Sequence, residues 1–357
     1  MLRRIARRVA RAGLARPRLR SVVEAELKAR RAATAPAVTP LAADVFVDGF
    51  GIHHPLDPAH RDRLKPAWRS MLDPVAVAEP PSDTGLRDRA GRAERVVAEA
   101  SALVATTAGE RLGSRILEVG CYDGAVAYQL SKLDGATVVA SDLARYYVVQ
   151  RPGQPAEADV EAQQGVLATL RERARVVAGA ATGSVEFIED DITASRLEDG
   201  SFDAIISFEV LEHVVDPQAA FRTMRRLLRP GGVGYHDYNP FFSLNGGHSL
   251  CTLDFAWGHA RLDPTDFERY VEELRPDAVA QTLRFYRESL NRMTQADMRA
   301  AIAAAGLEPL AIVPWVDRAV LGRLGPEVLD EVRRTYPAAA IADLLATFVA
   351  VVVRRPG

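Results

Sequence analysis

Cysteine is nearly absent from this chain of 357 residues: Cys121 and Cys251 are its only two. They show no metal-ligand spacing and are too few for a disulfide framework, which excludes a disulfide-stapled secreted module and suits a reducing cytoplasm. Also missing is any apolar run of the ~18 residues that a membrane-spanning helix needs, so no membrane span is expected. Charge of one sign is lacking as well. A formal net charge of -2 gives no general attraction to phosphate backbones, and bulk nucleic-acid binding is not expected. What remains is an ordinary globular composition, 48% hydrophobic and 26% charged, in a chain longer than one typical domain. One full core with appended segments is the natural expectation.

The charge is uneven. The first twenty residues, MLRRIARRVARAGLARPRLR, carry eight arginines and no acid, and residues 1–31 read as a basic helical arm. Two readings stand side by side, a solvated tail and an amphipathic helix making weak contact with an anionic membrane surface. Residues 32–85 are rich in Pro, Asp and Ala and read as an irregular leader, with Phe46, Phe50, Ile52 and Trp68 apolar enough to pack on the main domain.

From residue 86 the pattern becomes regular. LRDRAGRAERVVAEASALVATTAG repeats apolar residues at spacings of three and four, an amphipathic helix that should end near Gly109. Short apolar runs then alternate with helical stretches. RILEVG, TVVASD, VEFIED, FDAIISF and VGYHDY read as five strands, with helices after Gly124, over 157–178, and at PQAAFRTMRRLLRPGG, where Arg225, Arg226 and Arg229 suit the negative end of the dipole. Such alternation predicts an α/β doubly wound, Rossmann-like sheet of seven strands, mostly parallel with the last strand antiparallel. Residues 86–238 form the expected cofactor core, and 239–290, aromatic and glycine-rich, an insertion or substrate lid after the fifth strand. Residues 291–357 complete the sheet: Thr294 caps a helix that Gly306 ends, followed by LEPLAIVPW and ATFVAVVVRR as strands.

In an open α/β sheet, ligands bind beyond the carboxyl ends of the strands. The first such loop, ILEVGCYDG, places Gly120 and Gly124 at a turn into a helix after Glu118. Asp142 ends the next strand, where a carboxylate can accept both hydroxyls of a ribose. A nicotinamide-dependent oxidoreductase would share that acid but would want a tighter G-x-G-x-x-G loop.

Together with EDDIT and FDAIISFEVLEHVVDPQAAFRTMRRLLRPGG, these residues resemble the type 11 class I S-adenosylmethionine-dependent methyltransferases over roughly residues 111–240. The resemblance implies S-adenosylmethionine as cofactor. It implies that Glu118, Gly120 and Gly124 hold the methionine part, with Tyr122 standing where the family commonly has a third glycine. Asp142 would bind the ribose, Asp191 and the Ile192 backbone the adenine, and Phe208 and Glu209 would line the methyl-transfer pocket.

Methyl transfer to a hydroxyl also needs a proton acceptor. His236, near the end of the fifth strand, is the first candidate and His213 the second; a core-bonded strand histidine and a helix-capping Glu212–His213 pair are the structural alternatives. His248, Phe255, Trp257 and His259 of the insertion are expected to bind the substrate as a stacking wall, with Phe241 and Phe242. No spacing specifies a metal, and none is expected. The activity implied is O-methylation of a small molecule, sugar or glycan intermediate in the cytoplasm. Rival readings are an N- or C-methyltransferase and a non-catalytic cofactor-binding member of a biosynthetic complex.

Overall fold

The computed structural model describes residues 43–72, 81–151 and 156–357, all within the unit Thr39–Gly357. The basic arm and the first part of the leader lie outside the described residues.

The main sheet has seven strands in the order β5-β4-β3-β6-β7-β9-β8. Its first strands, β3 (Arg115–Val119), β4 (Thr137–Asp142), β5 (Val185–Glu189) and β6 (Phe202–Phe208), are parallel, as is β7 (Leu228–Tyr238) beside β6. The last strand, β9 (Ala346–Arg354), runs antiparallel to both β7 and β8 (Glu308–Val316) and lies between them. Strand order reverses between β3 and β6, the point at which such sheets open a crevice. β3 is buried at four of its five positions, the near-continuous apolar signature of a strand covered on both faces.

Helices cover those faces. On one side α2 (Asp83–Ala108) packs with α3 (Ala125–Leu130) through Val97, Ala100, Val104, Ala127 and Leu130. Ser82 caps α2 and a left-handed Gly109 ends it. On the other side α6 (Pro217–Leu227) and α11 (Gln295–Ala304) bury Phe221, Met224, Met298 and Ile302. Between β4 and β5 come the short α4 (Ala144–Val149) and the long α5 (Glu157–Ala178).

The helix expected to hold Arg229 in its last turn, before Pro230 and Gly231 stop it, ends at Leu227 instead. Leu228 pairs with Phe202, the ladder shifts register before Ala204–Val233, and Arg229 swings out to pair with Asp203. The Pro-Gly-Gly segment is therefore an irregular start to β7, which begins earlier than VGYHDY.

The segment after β7 is helical. It runs through α7 (His248–Cys251), α8 (Gly258–Arg261), α9 (Pro264–Leu274) and α10 (Val279–Glu288) around its own core of Phe241, Phe242, Phe267, Tyr270 and Tyr286. The described part of the leader, with the antiparallel strands β1 (Val45–Val47) and β2 (His53–Pro55) and the helix α1 (His60–Leu64), packs on it. Phe46 meets Tyr270 edge-on at 5.1 Å, Gly49 N–H donates to Asp266, and Arg61 donates to the Ser249 and Leu250 carbonyls. Among the described residues no helix is long and apolar enough to cross a membrane.

Candidate functional site

The site is built on the β3 loop. Gly120 has φ 77° and Gly124 φ 75°, both left-handed. At Gly120 a side chain would strike Val210, and at Gly124 it would come within 2.7 Å of the Phe187 ring, so both positions exclude a Cβ. Tyr122, between them, is also left-handed with φ 44°. Three contacts hold it there: its N–H donates to Asp142 Oδ2, its carbonyl accepts from Arg171 Nε at 3.0 Å, and its ring lies 5.0 Å from Tyr147. The departure from glycine is thus accommodated by α4 and α5.

Asp142 is 6% exposed at the end of β4. Oδ1 accepts Leu143 N–H at 2.7 Å and Oδ2 accepts the Tyr147 hydroxyl at 2.9 Å as well as Tyr122 N–H. Burial pushes its carboxyl above the usual range, while these donors and Arg171 act the other way. Glu118 is more extreme. It is 3% exposed, and burial, then repulsion from Asp123 and Asp142, pushes it well above the carboxylate range; its Oε2 has no hydrogen-bond partner. The acid after β5 divides its work: Asp191 Oδ1 accepts from Thr193 N–H and Oγ1, each at 2.8 Å, whereas Asp190 Oδ2 is buried without a partner.

Two cavities flank this loop. The first, of about 550 Å³, is lined by Asp142, Leu143, Asp190, Asp191, Ile192 and Thr193 and extends to Tyr146 and His213. The second, of about 570 Å³, is lined by Glu118, Tyr122, Asp123, Phe208 and Asp237, with Arg89 and Arg92 of α2. Gly120 and Glu209 line both. Glu209 is left-handed at φ 55°, and its carboxylate pairs with Arg92 at 3.0 Å. The backbone strain of a side-chain-bearing residue thus recurs where the cavities meet.

The two histidines named as proton acceptors part company. His213 lines the first cavity; its Nδ1 donates to the Ser289 carbonyl at 2.6 Å, and burial lowers it to about 4, leaving a neutral ring. His236 is fully buried among core side chains, bonded through Nδ1 to Ser207 Oγ at 2.8 Å and packed edge-on against Phe221. Burial lowers it to about 3, and it lines neither cavity. The assignment of His236 as base is corrected: side chains alternate along a strand, so β7 turns His236 toward α6 and presents Asp237 to the second cavity.

The expected stacking wall is corrected too. Phe255, Trp257 and His259 are at most 6% exposed and fill the core of the insertion, with Trp257 Nε1 donating to the Leu344 carbonyl and His259 Nε2 to Phe241. A four-helix insertion needs its aromatic residues to cover its own core. Phe241 and Phe242 belong to the same interior. His248 alone approaches the site, with its ring 4.8 Å from His213.

Sequence reasoning missed Tyr146, Tyr147, Arg89, Arg92 and Arg171. The adjacent pair of tyrosines just after Asp142 was the available signal. It also missed a grouping: Glu212, His213 and His248 place one ligand atom each within 4.8 Å of one another, with Glu212 Oε2 and His248 Nε2 lacking partners. That donor set could hold a divalent ion, and the long separation of His248 in the chain concealed it.

Residues 117–235 match a family model described as a methyltransferase domain. A ubiquinone biosynthesis O-methyltransferase of Xanthomonas oryzae pv. oryzae (strain PXO99A) is 33% identical over 174 residues, 48% of this chain and 61% of that protein. One from Xanthomonas campestris pv. campestris (strain B100) is 32% identical over 174 residues, with the same coverage. The chain thus spans about six-tenths of the length of these curated relatives. Among solved structures, a putative sarcosine dimethylglycine methyltransferase from Galdieria sulphuraria is 15% identical with TM-score 0.43, covering 73% of this chain and 86% of that one, a likeness too low to bear on function. The matched segment begins within β3 and holds β4, β5 and β6, the glycine loop and Asp142. Over residues 117–235 the chain is similar to a methyltransferase domain, in keeping with the resemblance of its motifs to the type 11 class I family.

Proposed function

We propose that this chain binds S-adenosylmethionine across its two cavities and transfers the methyl group to a hydroxyl oxygen of a small molecule, whose proton passes to Nε2 of the neutral His213 ring lining the first cavity. The observation that carries the reading is the pair of unpartnered buried carboxylate oxygens, Glu118 Oε2 and Asp190 Oδ2, one beside each cavity. A buried polar atom without a partner costs about 1–3 kcal/mol, so each suits a ligand donor. The ammonium of the methionine end fits Glu118, and the amino group of adenine fits Asp190. Asp142 suits the ribose hydroxyls at the joint between them, and the guanidiniums of Arg89 and Arg92 at the second cavity suit the methionine carboxylate.

The cofactor supplies a methyl group on a positively charged sulfur, open to in-line displacement. The protein's part is to align the groups and keep water out. The Tyr122–Tyr147 ring pair and the packed α2–α3 face provide rigid walls for that purpose. An oxygen acceptor is supported by the names of the related O-methyltransferases. A sugar or glycan acceptor has less behind it, because Phe255 and Trp257 do not reach a cavity.

Calorimetric titration with S-adenosylmethionine, S-adenosylhomocysteine and NAD tests the reading. Micromolar binding of the first two, with no heat from NAD, is the expected result. Binding of NAD alone would overturn it.

A further inference from the structure

β7 brings one titratable side chain to the second cavity besides those of the glycine loop and α2. Asp237 pairs in register with Phe208, and the Glu209 N–H donates both to its carbonyl at 3.0 Å and to its Oδ1 at 3.2 Å. Asp237 is therefore one hydrogen bond from the strained residue common to both cavities. The charges around it do not balance. Arg89 pairs with Asp123 at 3.4 Å and Arg92 with Glu209 at 3.0 Å, while Glu118 and Asp237 have no ion-pair partner among the described residues. Two carboxyls thus remain in a cavity read as the seat of a ligand with two cationic centres, an ammonium and a sulfonium. Glu118, beside the glycine loop, suits the first, and Asp237, beside Phe208 and Glu209, suits the second.

We propose that Asp237 is the residue through which this site distinguishes the charged methyl donor from its neutral by-product, by setting a carboxylate against the sulfonium. The proposal rests on the reading of the cavities as an S-adenosylmethionine site. By it, Asp237 favours the donor when ionised and lets the by-product go once the positive charge on sulfur is lost. It acts by positioning and charge selection and needs no bond to form.

The groups facing Asp237 are Arg92 and Glu99 from α2, Glu209 from the end of β6 and Tyr235 from β7 itself; β9 contributes the uncharged Phe348 to the same cavity. Burial, with added repulsion from Glu209 and Glu99, lifts its carboxyl to about 7, against the Glu209 amide and Arg92. The switch between its two charge states falls within an accessible pH range.

The test measures the dissociation constants of S-adenosylmethionine and S-adenosylhomocysteine by calorimetry from pH 5.5 to 8.5, for the wild type and Asp237→Asn. An opposite charge at contact distance shifts a carboxyl by about 1–3 pH units, so the preference for the donor should rise about tenfold across the range in the wild type. In D237N, whose amide oxygen can still accept the Glu209 N–H, the ratio should stay flat at its low-pH value. The ligands' own ammonium groups titrate alike in both proteins, so the difference reads the carboxyl. Glu209→Gln, which removes a neighbouring negative charge, should move the midpoint to lower pH. A flat ratio in the wild type, or the same rise in D237N, overturns the proposal. Failure of the wild type to bind either ligand at any pH would instead strike the cofactor reading on which it rests.

Discussion

A left-handed backbone costs a residue with a side chain roughly 1–2 kcal/mol, and Tyr122 sustains it because Asp142, Arg171 and Tyr147 grip it on three sides. Asp142→Ala removes a loop anchor and, on the proposed reading of the cavities, a ribose acceptor in one step. We expect it to weaken S-adenosylmethionine binding by at least tenfold, on the scale of one lost hydrogen bond to a charged group, about 1.5–3 kcal/mol, as read by calorimetry. His236 behaves differently. His236→Ala should leave cofactor binding within a factor of three and cost about 2 kcal/mol of stability at pH 7, since it empties a core site bonded to Ser207. That cost depends on pH with a definite sign. The folded ring is lowered to about 3, so as pH falls below 6.5 the unfolded chain takes up the proton first. The histidine's contribution is therefore complete above 6.5 and declines by about 1.4 kcal/mol per pH unit below it. Urea denaturation at pH 7 and pH 5.5 should show the gap between wild type and H236A narrowing in acid; a constant gap would contradict the buried neutral ring. Glu118, Gly120, Gly124 and Asp142 were legible from sequence because a strand-turn-helix motif dictates their places. His236 was misread by one position, and in a strand one position is the opposite face.

At the scale of elements, α11 and the leader show what local pattern does and does not reveal. Thr294 and Asp297 form a reciprocal cap on α11, with Thr294 Oγ1 accepting Asp297 N–H at 3.0 Å. Thr294→Ala should cost about 1 kcal/mol, seen as a lower Tm with unchanged ligand affinity. Such a cap is legible because both of its residues lie within one turn. Phe46 is 2% exposed, yet nothing within its short strand says what covers it. It is the insertion, through Tyr270, that does so. Phe46→Ala should cost about 3–5 kcal/mol and lower the thermal midpoint; a shift within error would mean that the leader is not clamped to the insertion. The same long-range logic placed Phe255 and Trp257 in the insertion's core and away from both cavities. An aromatic-rich insertion looks the same in sequence whether its rings face a ligand or one another.

For the whole molecule, a cofactor bound only by the folded chain must stabilise it. S-adenosylmethionine at a hundredfold excess over its Kd should add about 2.7 kcal/mol, roughly 5 °C in Tm, while NAD should add nothing; calorimetric scans with each ligand decide between them. Sequence alone determined the parallel α/β sheet, the glycine turn and the acids after β4 and β5, because each is written in contiguous residues with a period of 2 or 3.6 and a turn between. Tertiary structure decided which histidine lies in the core and that Asp237 lines a cavity. It also paired Arg89 and Arg92 with Asp123 and Glu209, and gathered Glu212, His213 and His248. Those relations join residues far apart in the chain or turn on which face of a strand is covered. They exist only once the sheet has closed against its helices.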